Sequence, residues 1–274
     1  MNAQTTTVAF QGEPGAYSEQ AVRHHFGPGV LTRPCRSFAD IFAAVQAGTA
    51  THGMLPVENS LAGTVIAAYD CLMEHDLQVQ AEVILKVEHC LMAPAGTPLS
   101  SIQRARSHPQ ALAQCAHTLQ RLGLEPIPYY DTAGAARDLA ANPEPGTAAI
   151  ASELAATTYG LTVLARNLED LTFNYTRFFV LGNGEAARQD PSKTSIIFAT
   201  RHSPGALQQV LAELAQRGLN LTKIESRPRR NQPWHYLFYV DFEGHADDPA
   251  GREALLAILK RTSFLKVLGS YPAG

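Results

Sequence analysis

The chain has 274 residues, 45% of them hydrophobic and 17% charged, with a net charge of −3. That composition supplies core for one large domain or two ordinary ones and excludes disorder. A slightly acidic chain with one short basic cluster, 227–230, gives no nucleic-acid partner, and no window reaches the roughly 18 apolar residues of a membrane span.

The N-terminus "MNAQTTTVAF" has neither the basic start nor the long apolar segment of a signal peptide. Cys35, Cys71, Cys90 and Cys115 are widely spaced without a CxxC pair, which argues against zinc and against a disulfide framework. The thiols read as buried and inert, no metal or cofactor is expected, and a reduced cytoplasm is the expected location.

In chain order, 5–10 predicts a strand and 18–26 a short helix behind a glycine turn. A helix over 37–48 is capped by Ser37 and stopped by Gly48. A strand over 52–60 runs into a loop, a helix follows near 62–75, and one long strand covers 78–92. Ala111, Leu112, Cys115, Leu119 and Leu122 recur at helical spacing, so 108–123 reads as one helix, with Pro109 in its first turn and Gly123 at its end. The segments 125–130, 132–141, 147–152, 153–160 and 161–166 continue the alternation. Phe178 to Leu181, closed by Gly182, form a buried strand. The pattern is α/β with mostly parallel sheet, and its length suggests two lobes with a cleft.

The segment "NGEAARQDPSK", 183–193, is the best boundary, because it has a proline and no apolar periodicity. Beyond it come a strand (193–200), a helix (205–218), a strand (219–228), an "NQP" turn, a strand (234–242), a helix (250–262) and a strand (264–271). Trp234, Tyr236, Phe238, Val240 and Phe242 alternate onto one face. The order βαββαβ predicts a ferredoxin-like sandwich. The sequence shows neither an internal repeat nor a low-complexity tract.

Four polar islands fall at strand ends, where open α/β sheets bind ligands. "QGEPGAYSEQA" (11–21) offers backbone amides near Gly12 and Gly15 for an anion, and Ser18 as a helix cap. "PVENSLAGTV" (56–65) places Glu58, Asn59 and Ser60 together, more polar groups than one cap needs, with Gly63 in the expected first turn of a helix. "SHPQA" (107–111) starts a helix, where capping by Ser107 or His108 suffices without a ligand. "NYTRFFVLG" (174–182) opens a buried strand with Asn174, Thr176 and Arg177; strand alternation puts Asn174, Thr176 and Phe178 on one face and Arg177 on the other. Together the islands supply hydroxyls, amides, one arginine and helix N-termini, which suit a small anion.

In this order and spacing the islands resemble the prephenate dehydratase family, whose motifs match Gly12–Ser18, Pro56–Val65, Ser107–Ala111 and Asn174–Phe178. Ala16 departs from the threonine many members carry. The second region resembles an ACT domain, with "GAL" at 205–207, "NLTKIE" at 220–225 and "ESRP" at 225–228. With no chorismate mutase segment ahead of it, the chain is similar to the stand-alone enzyme.

The resemblance implies a two-lobed, periplasmic-binding-protein-like catalytic region over 5–183, a linker over 184–193 and an ACT regulatory domain over 194–272. It implies conversion of prephenate to phenylpyruvate with loss of water and CO2, inhibited by L-phenylalanine. Thr176 is the implied proton donor to the leaving hydroxyl. Arg177, Asn59, Ser60, Glu58, Ser18, Tyr17, Ser107, Phe178 and Asn174 are the implied substrate contacts, with Phe178 walling the ring. The implied phenylalanine site comprises Gly205, Ala206, Leu207, Asn220, Leu221, Glu225, Ser226, Arg227 and Pro228, at an interface between ACT domains of a dimer or tetramer. Arogenate dehydratase and a non-catalytic amino-acid sensor are the rival readings.

Overall fold

A computed structural model describes residues 5–229 and 232–273. Arg230 of the basic cluster and Asn231 of the expected turn lie outside the described residues, as do the side chains of Arg229 and Trp234. The chain gathers into two compact units, Met1–Val65 with Ile84–Phe178, and Ile66–Val83 with Phe179–Gly274.

The first unit opens with β1 (Thr7–Gln11), α1 (Tyr17–Phe26), β2 (Leu31–Cys35), α2 (Phe38–Gln46), β3 (His52–Asn59) and the two-residue β4 (Gly63–Thr64). Ser37 caps α2 as the sequence predicts, and Asp40 completes a capping box with it. The expected helix over 62–75 is shorter, α3 (Ile66–Glu74), because Gly63 pairs back onto Asn59 across β3 and β4. Ser18 does not cap α1: the helix starts one residue earlier, and the Glu19 carboxylate takes the Gly15 N–H at 2.7 Å.

The expected strand over 78–92 is two strands, β5 (Gln78–Lys86) and β6 (Cys90–Ala93), in different sheets. Between them Val87 N–H donates to Asn174 O and His89 N–H to the Glu169 carboxylate, so the chain leaves one ladder before joining the next. After β7 (Arg104–Ser107), the expected single helix is also divided, into α4 (Pro109–Gln114) and α5 (Ala116–Leu122). Asp170 causes this locally, its carboxylate accepting the N–H groups of His117 and Thr118 as a new helix start. β8 (Glu125–Pro128), α6 (Thr132–Ala141), β9 (Thr147–Ala151), α7 (Glu153–Tyr159), β10 (Thr162–Ala165) and β11 (Tyr175–Gly182) follow.

The sheets run β2-β1-β3-β11-β5 and β10-β6-β9-β7-β8. They are mixed rather than mostly parallel. β1 lies parallel to β2 and β3, and β7 to β8 and β9, but β6 is antiparallel to both β9 and β10. Val8, Phe10, Ile41, Phe42 and Leu55 are fully buried around the first sheet, and Leu91, Ala105, Cys115, Ala148 and Ile150 around the second.

The second unit contains β12 (Ser192–Thr200), α8 (Ala206–Ala215), β13 (Leu221–Arg229), β14 (Gln232–Glu243), α9 (Pro249–Arg261) and β15 (Thr262–Pro272). The sheet order β13-β14-β12-β15, all antiparallel, is the expected ferredoxin-like sandwich. Phe238, Val240 and Phe242 face the helices as predicted. The opposite face is covered too. Tyr69 of α3 stands edge-on to buried Tyr239 at 4.7 Å, and Lys193 and Lys266 pair with Glu82 and Asp76.

Gly269 of β15 crosses close to β5: a Cβ there would lie 2.3 Å from the Val79 carbonyl oxygen. Gly269→Ala is therefore expected to destabilise this unit by about 1–3 kcal/mol, the usual cost of forcing backbone apart. Urea unfolding measures it, and an unchanged midpoint would mean that β15 can move off β5 freely.

Candidate active site

A cavity of about 410 Å³ lies within the first unit. Tyr17 and Ser18 reach it from α1, Asn59 from the end of β3, Ala62 to Val65 from the following turn, and Thr176 and Phe178 from β11. His108, Gln110 and Gln114 come from α4 and its cap, and Thr132 from the start of α6. Three helices thus begin at its wall, α4 and α6 with their first N–H groups capped by His108 Nδ1 and the Asp131 carboxylate. Among the described lining residues there is no Lys, Arg, Asp or Glu.

Asn59 organises the polar floor. Its Oδ1 accepts from Leu61 N–H (3.1 Å) and Ala62 N–H (2.9 Å), which fixes the other end of the amide as the donor. That NH2 group donates to Asn174 Oδ1 (2.9 Å), Tyr175 O (3.1 Å) and Thr176 Oγ1 (3.0 Å). Thr176 therefore accepts from Asn59, and its hydroxyl hydrogen remains for a group in the cavity. Behind this, Asn174 Nδ2 donates to Gln114 Oε1 at 3.0 Å, the same oxygen lies 2.9 Å from His89 Nε2, and Tyr17 Oη lies 2.7 Å from His89 Nδ1.

The loop ahead of Tyr17 is pinned from α7. Ser152 Oγ donates to Gly15 O at 2.6 Å, Tyr159 Oη donates to Pro14 O at 2.7 Å, and a Cβ on Gly15 would meet Ala155 Cα at 2.7 Å. The backbone amides expected to hold an anion here are already taken: Gly12 N–H by Cys35 O, Gly15 N–H by Glu19, and Ala16 N–H by Glu13 O.

Of the ten residues the sequence pointed to, the cavity brings together Tyr17, Ser18, Asn59, Thr176 and Phe178. The other five do not line it. Arg177 is half-buried one position along β11 from Thr176, on the alternate face, so strand parity keeps its guanidinium from the cavity. Ser107 is wholly buried and donates to Ile150 O at 2.6 Å, which makes it a strut of the second sheet. Ser60 Oγ donates to Phe173 O and accepts Tyr175 N–H, tying the turn to β11. Glu58 lies within β3 opposite Thr64, and Asn174 is wholly buried behind Asn59. Sequence reasoning missed Gln114 and His89. Gln114 sits seven residues after Ser107 and one turn on from Gln110, and no local signal set it apart from the other polar residues of that helix.

In the second unit a cavity of about 780 Å³ is lined by Gly205, Ala206 and Leu207 with Arg201, Tyr236 and Phe238. Asn220 and Leu221 line a separate hollow near the end of α8. Glu225, Ser226, Arg227 and Pro228 lie on the edge strand β13, where Arg227 Nη1 donates to Ile66 O (3.0 Å) and pairs with Asp70 (3.2 Å).

Burial pushes the Tyr17 hydroxyl well above its ordinary value, helped by nearby thiols and carboxylates, so it is a hydrogen-bond donor at neutral pH. Burial holds His89 below the ordinary 6.5 against the opposing pull of Gln114 and Glu169. His25 and His52 are lowered as well, by burial first and then by a neighbouring imidazole. Cys90 is pushed up to about 11 and Cys115 further, again by burial, so both stay thiols.

The prephenate dehydratase family model matches residues 8–186 and the ACT domain model residues 194–260. Over 99% of its length the chain is 43% identical to arogenate dehydratase/prephenate dehydratase 2, chloroplastic, of Arabidopsis thaliana, covering 74% of that protein. Among solved structures, a protein described as GqqA, a novel type of quorum quenching acylase, superposes with a TM-score of 0.91 at 39% identity, with 98% of each chain covered. The prephenate dehydratase of Arthrobacter aurescens in complex with L-Phe gives 0.90 at 32% identity, over 98% of this chain and 90% of that one.

The lowered histidines set a direction for stability against pH. Each has a folded value below its unfolded 6.5, so the unfolded chain binds protons first as pH falls. Stability is complete above 6.5 and declines through the window beneath it. Lowered carboxylates such as Asp138 and Glu213 act only below their ordinary 3.8 and 4.5. The unfolding midpoint is expected to drop between pH 7 and pH 5, with a smaller drop in His89→Gln; a midpoint level across that range would contradict the assignment.

Proposed function

The chain belongs to the prephenate dehydratase family, and on that footing we propose that it converts prephenate to phenylpyruvate, water and CO2, a step toward phenylalanine. One observation carries the reading: Thr176 Oγ1 accepts from Asn59 and lines the cavity, which leaves its proton for a group bound there. In the elimination the bond from ring carbon to carboxylate breaks, and its electron pair enters the ring. The C–O bond on the opposite ring carbon breaks as the ring becomes aromatic. Thr176 gives a proton to the departing hydroxide, which leaves as water, and solvent restores that proton. Such acid assistance is worth about 10²–10⁴-fold. A hydroxyl suffices because aromatisation drives the step, and the Asn59 N–H stabilises the oxygen as it loses its proton.

The substrate is a dianion. Hydroxyls of Thr176 and Ser18 and the Gln114 amide supply donors that suit it, and Phe178 and Val87 wall the ring. The plant relative's name pairs prephenate with arogenate, which makes arogenate the second reading. Arogenate carries an ammonium where prephenate has a keto group, and the absence of Asp and Glu among the described lining residues favours the keto acid. The acylase chemistry named for one structural neighbour requires a hydroxyl that gives its proton to a base before attack. An oxygen already accepting from an amide is poorly arranged for that.

We assign catalysis to 5–183, a linker to 184–193 and regulation by L-phenylalanine to 194–272. The cavity at Gly205–Leu207 and the edge strand bearing Glu225–Pro228 suit an effector bound where two copies meet, as a dimer or tetramer. Arg227 on that strand holds Ile66 O and pairs with Asp70 within the same unit. No helix among the described residues is long and apolar enough to cross a membrane, and four free thiols suit a reducing compartment such as the cytoplasm.

Purified protein mixed with prephenate, and separately with arogenate, is expected to give phenylpyruvate from the first much faster than phenylalanine from the second. Thr176→Ala should lose about 10²–10⁴-fold in kcat with its fold intact, and Thr176→Ser should recover most of it. Turnover in Thr176→Ala equal to wild type would remove this residue from the chemistry. Added L-phenylalanine is expected to slow the reaction, and Arg227→Met to weaken that inhibition by about 5- to 150-fold, the span of typical allosteric coupling. Binding of phenylalanine without any change in rate would leave the second unit a structural role.

A further inference from the structure

The polar chain behind Thr176 has one self-consistent direction, and following it backwards assigns a proton. Asn59 presents its NH2 group to Asn174 Oδ1, because its own oxygen is held by two backbone N–H groups. Asn174 must then turn its NH2 toward Gln114, which fixes the facing Gln114 atom as the oxygen. That oxygen also faces His89 Nε2 at 2.9 Å, so this nitrogen carries hydrogen. In a neutral ring Nδ1 is then bare and accepts the Tyr17 hydroxyl at 2.7 Å, closer than the Glu88 carbonyl oxygen that the same hydroxyl faces at 3.1 Å. His89 itself has little freedom. It is 2% exposed, its backbone N–H is bound to Glu169, and the Tyr17 ring stands edge-on at 5.5 Å.

We propose that His89 is a positioning residue for the elimination: a neutral imidazole held as the Nε2–H tautomer, whose one N–H locks the Gln114 amide and, through Asn174 and Asn59, keeps the Thr176 proton aimed into the cavity. The proposal rests on Thr176 being the hydroxyl that assists the departure of water. The physical reason is the symmetry of an amide. Without a donor at His89, Gln114 is free to exchange its oxygen and nitrogen. The exchanged form sets NH2 against the NH2 of Asn174, and the chain behind Asn59 comes apart. Tyr17 closes the far end, so a cavity-lining hydroxyl on α1 and one on β11 belong to the same ordered array.

Three variants separate positioning from space-filling. His89→Gln can return an N–H to Gln114, His89→Leu cannot, and His89→Asn is too short to reach. His89→Leu and His89→Asn are expected to lose on the order of 10- to 100-fold in kcat, the range for orienting partners behind a working ligand. KM should change by less than about threefold, because the lost interaction matters in the transition state rather than in binding. His89→Gln should recover most of the loss. Independently of activity, two-bond 1H–15N spectra of the histidine-labelled protein should show His89 protonated at Nε2 and bare at Nδ1. In Tyr17→Phe the Nδ1 signal should shift while Nε2 stays protonated. An Nδ1–H tautomer, or wild-type kcat in His89→Leu while Thr176→Ala is inactive, would overturn the role of His89 and leave the lyase reading in place. A wild-type protein that makes product from neither prephenate nor arogenate would overturn the lyase reading, and the role of His89 with it.

Discussion

Two backbone N–H groups, those of Leu61 and Ala62, decide the direction of the polar contacts on the cavity floor. Asn59 accepts from both, so its NH2 has to face inward, and Asn174, Gln114 and Thr176 take their orientations in turn. Each such bond is worth only about 0.5–1.5 kcal/mol net, but an unmade one in a buried site costs about 1–3. A chain in which each amide answers the next is stable as a set and poorly tolerant of a single reversal. The turn that makes this possible depends on Gly63, whose φ of +80° lets the chain double back against Asn59.

A dianion is normally met with arginine or lysine. Here the described walls offer hydroxyls and amides. Such groups are already aimed and do not need to reorganise as charge moves from carboxylate to leaving oxygen, which suits the proposed elimination, whose bond changes are spread across a ring. A mobile guanidinium gripping the carboxylate tightly would stabilise the ground state as well as the transition state and gain little rate.

Much of this was legible beforehand, for a physical reason in each case. The Ser37 cap, the βαββαβ order and the alternation of Phe238, Val240 and Phe242 are local patterns, and local patterns survive into the fold. Thr176 and Phe178 came together because a strand repeats every two residues, and the same rule turned Arg177 away. What the sequence concealed lies at breaks made by distant residues. Asp170 divides the helix at Cys115, and Asn174 with Glu169 draws the chain out of β5 at 87–89. Gln114 and His89 sit at those breaks. Neither belongs to a recognisable local signal, and their juxtaposition exists only once two sheets are built. Ser107 misled for the opposite reason, since a polar residue beside a helix start can as readily bond a neighbouring strand as a ligand.

Asn59 also marks a point at which the protein can age. An asparagine followed by a serine loses ammonia slowly through a cyclic imide formed with the next backbone nitrogen, which reopens to aspartate or to isoaspartate. At this position conversion to aspartate replaces an NH2 that donates to Asn174 and Thr176 with a second acceptor, and places a negative charge beside a cavity proposed to bind an anion. The two backbone hydrogen bonds that orient Asn59 also restrain it from the geometry that hydrolysis requires, so the contact that directs the proton protects the working lifetime of the protein.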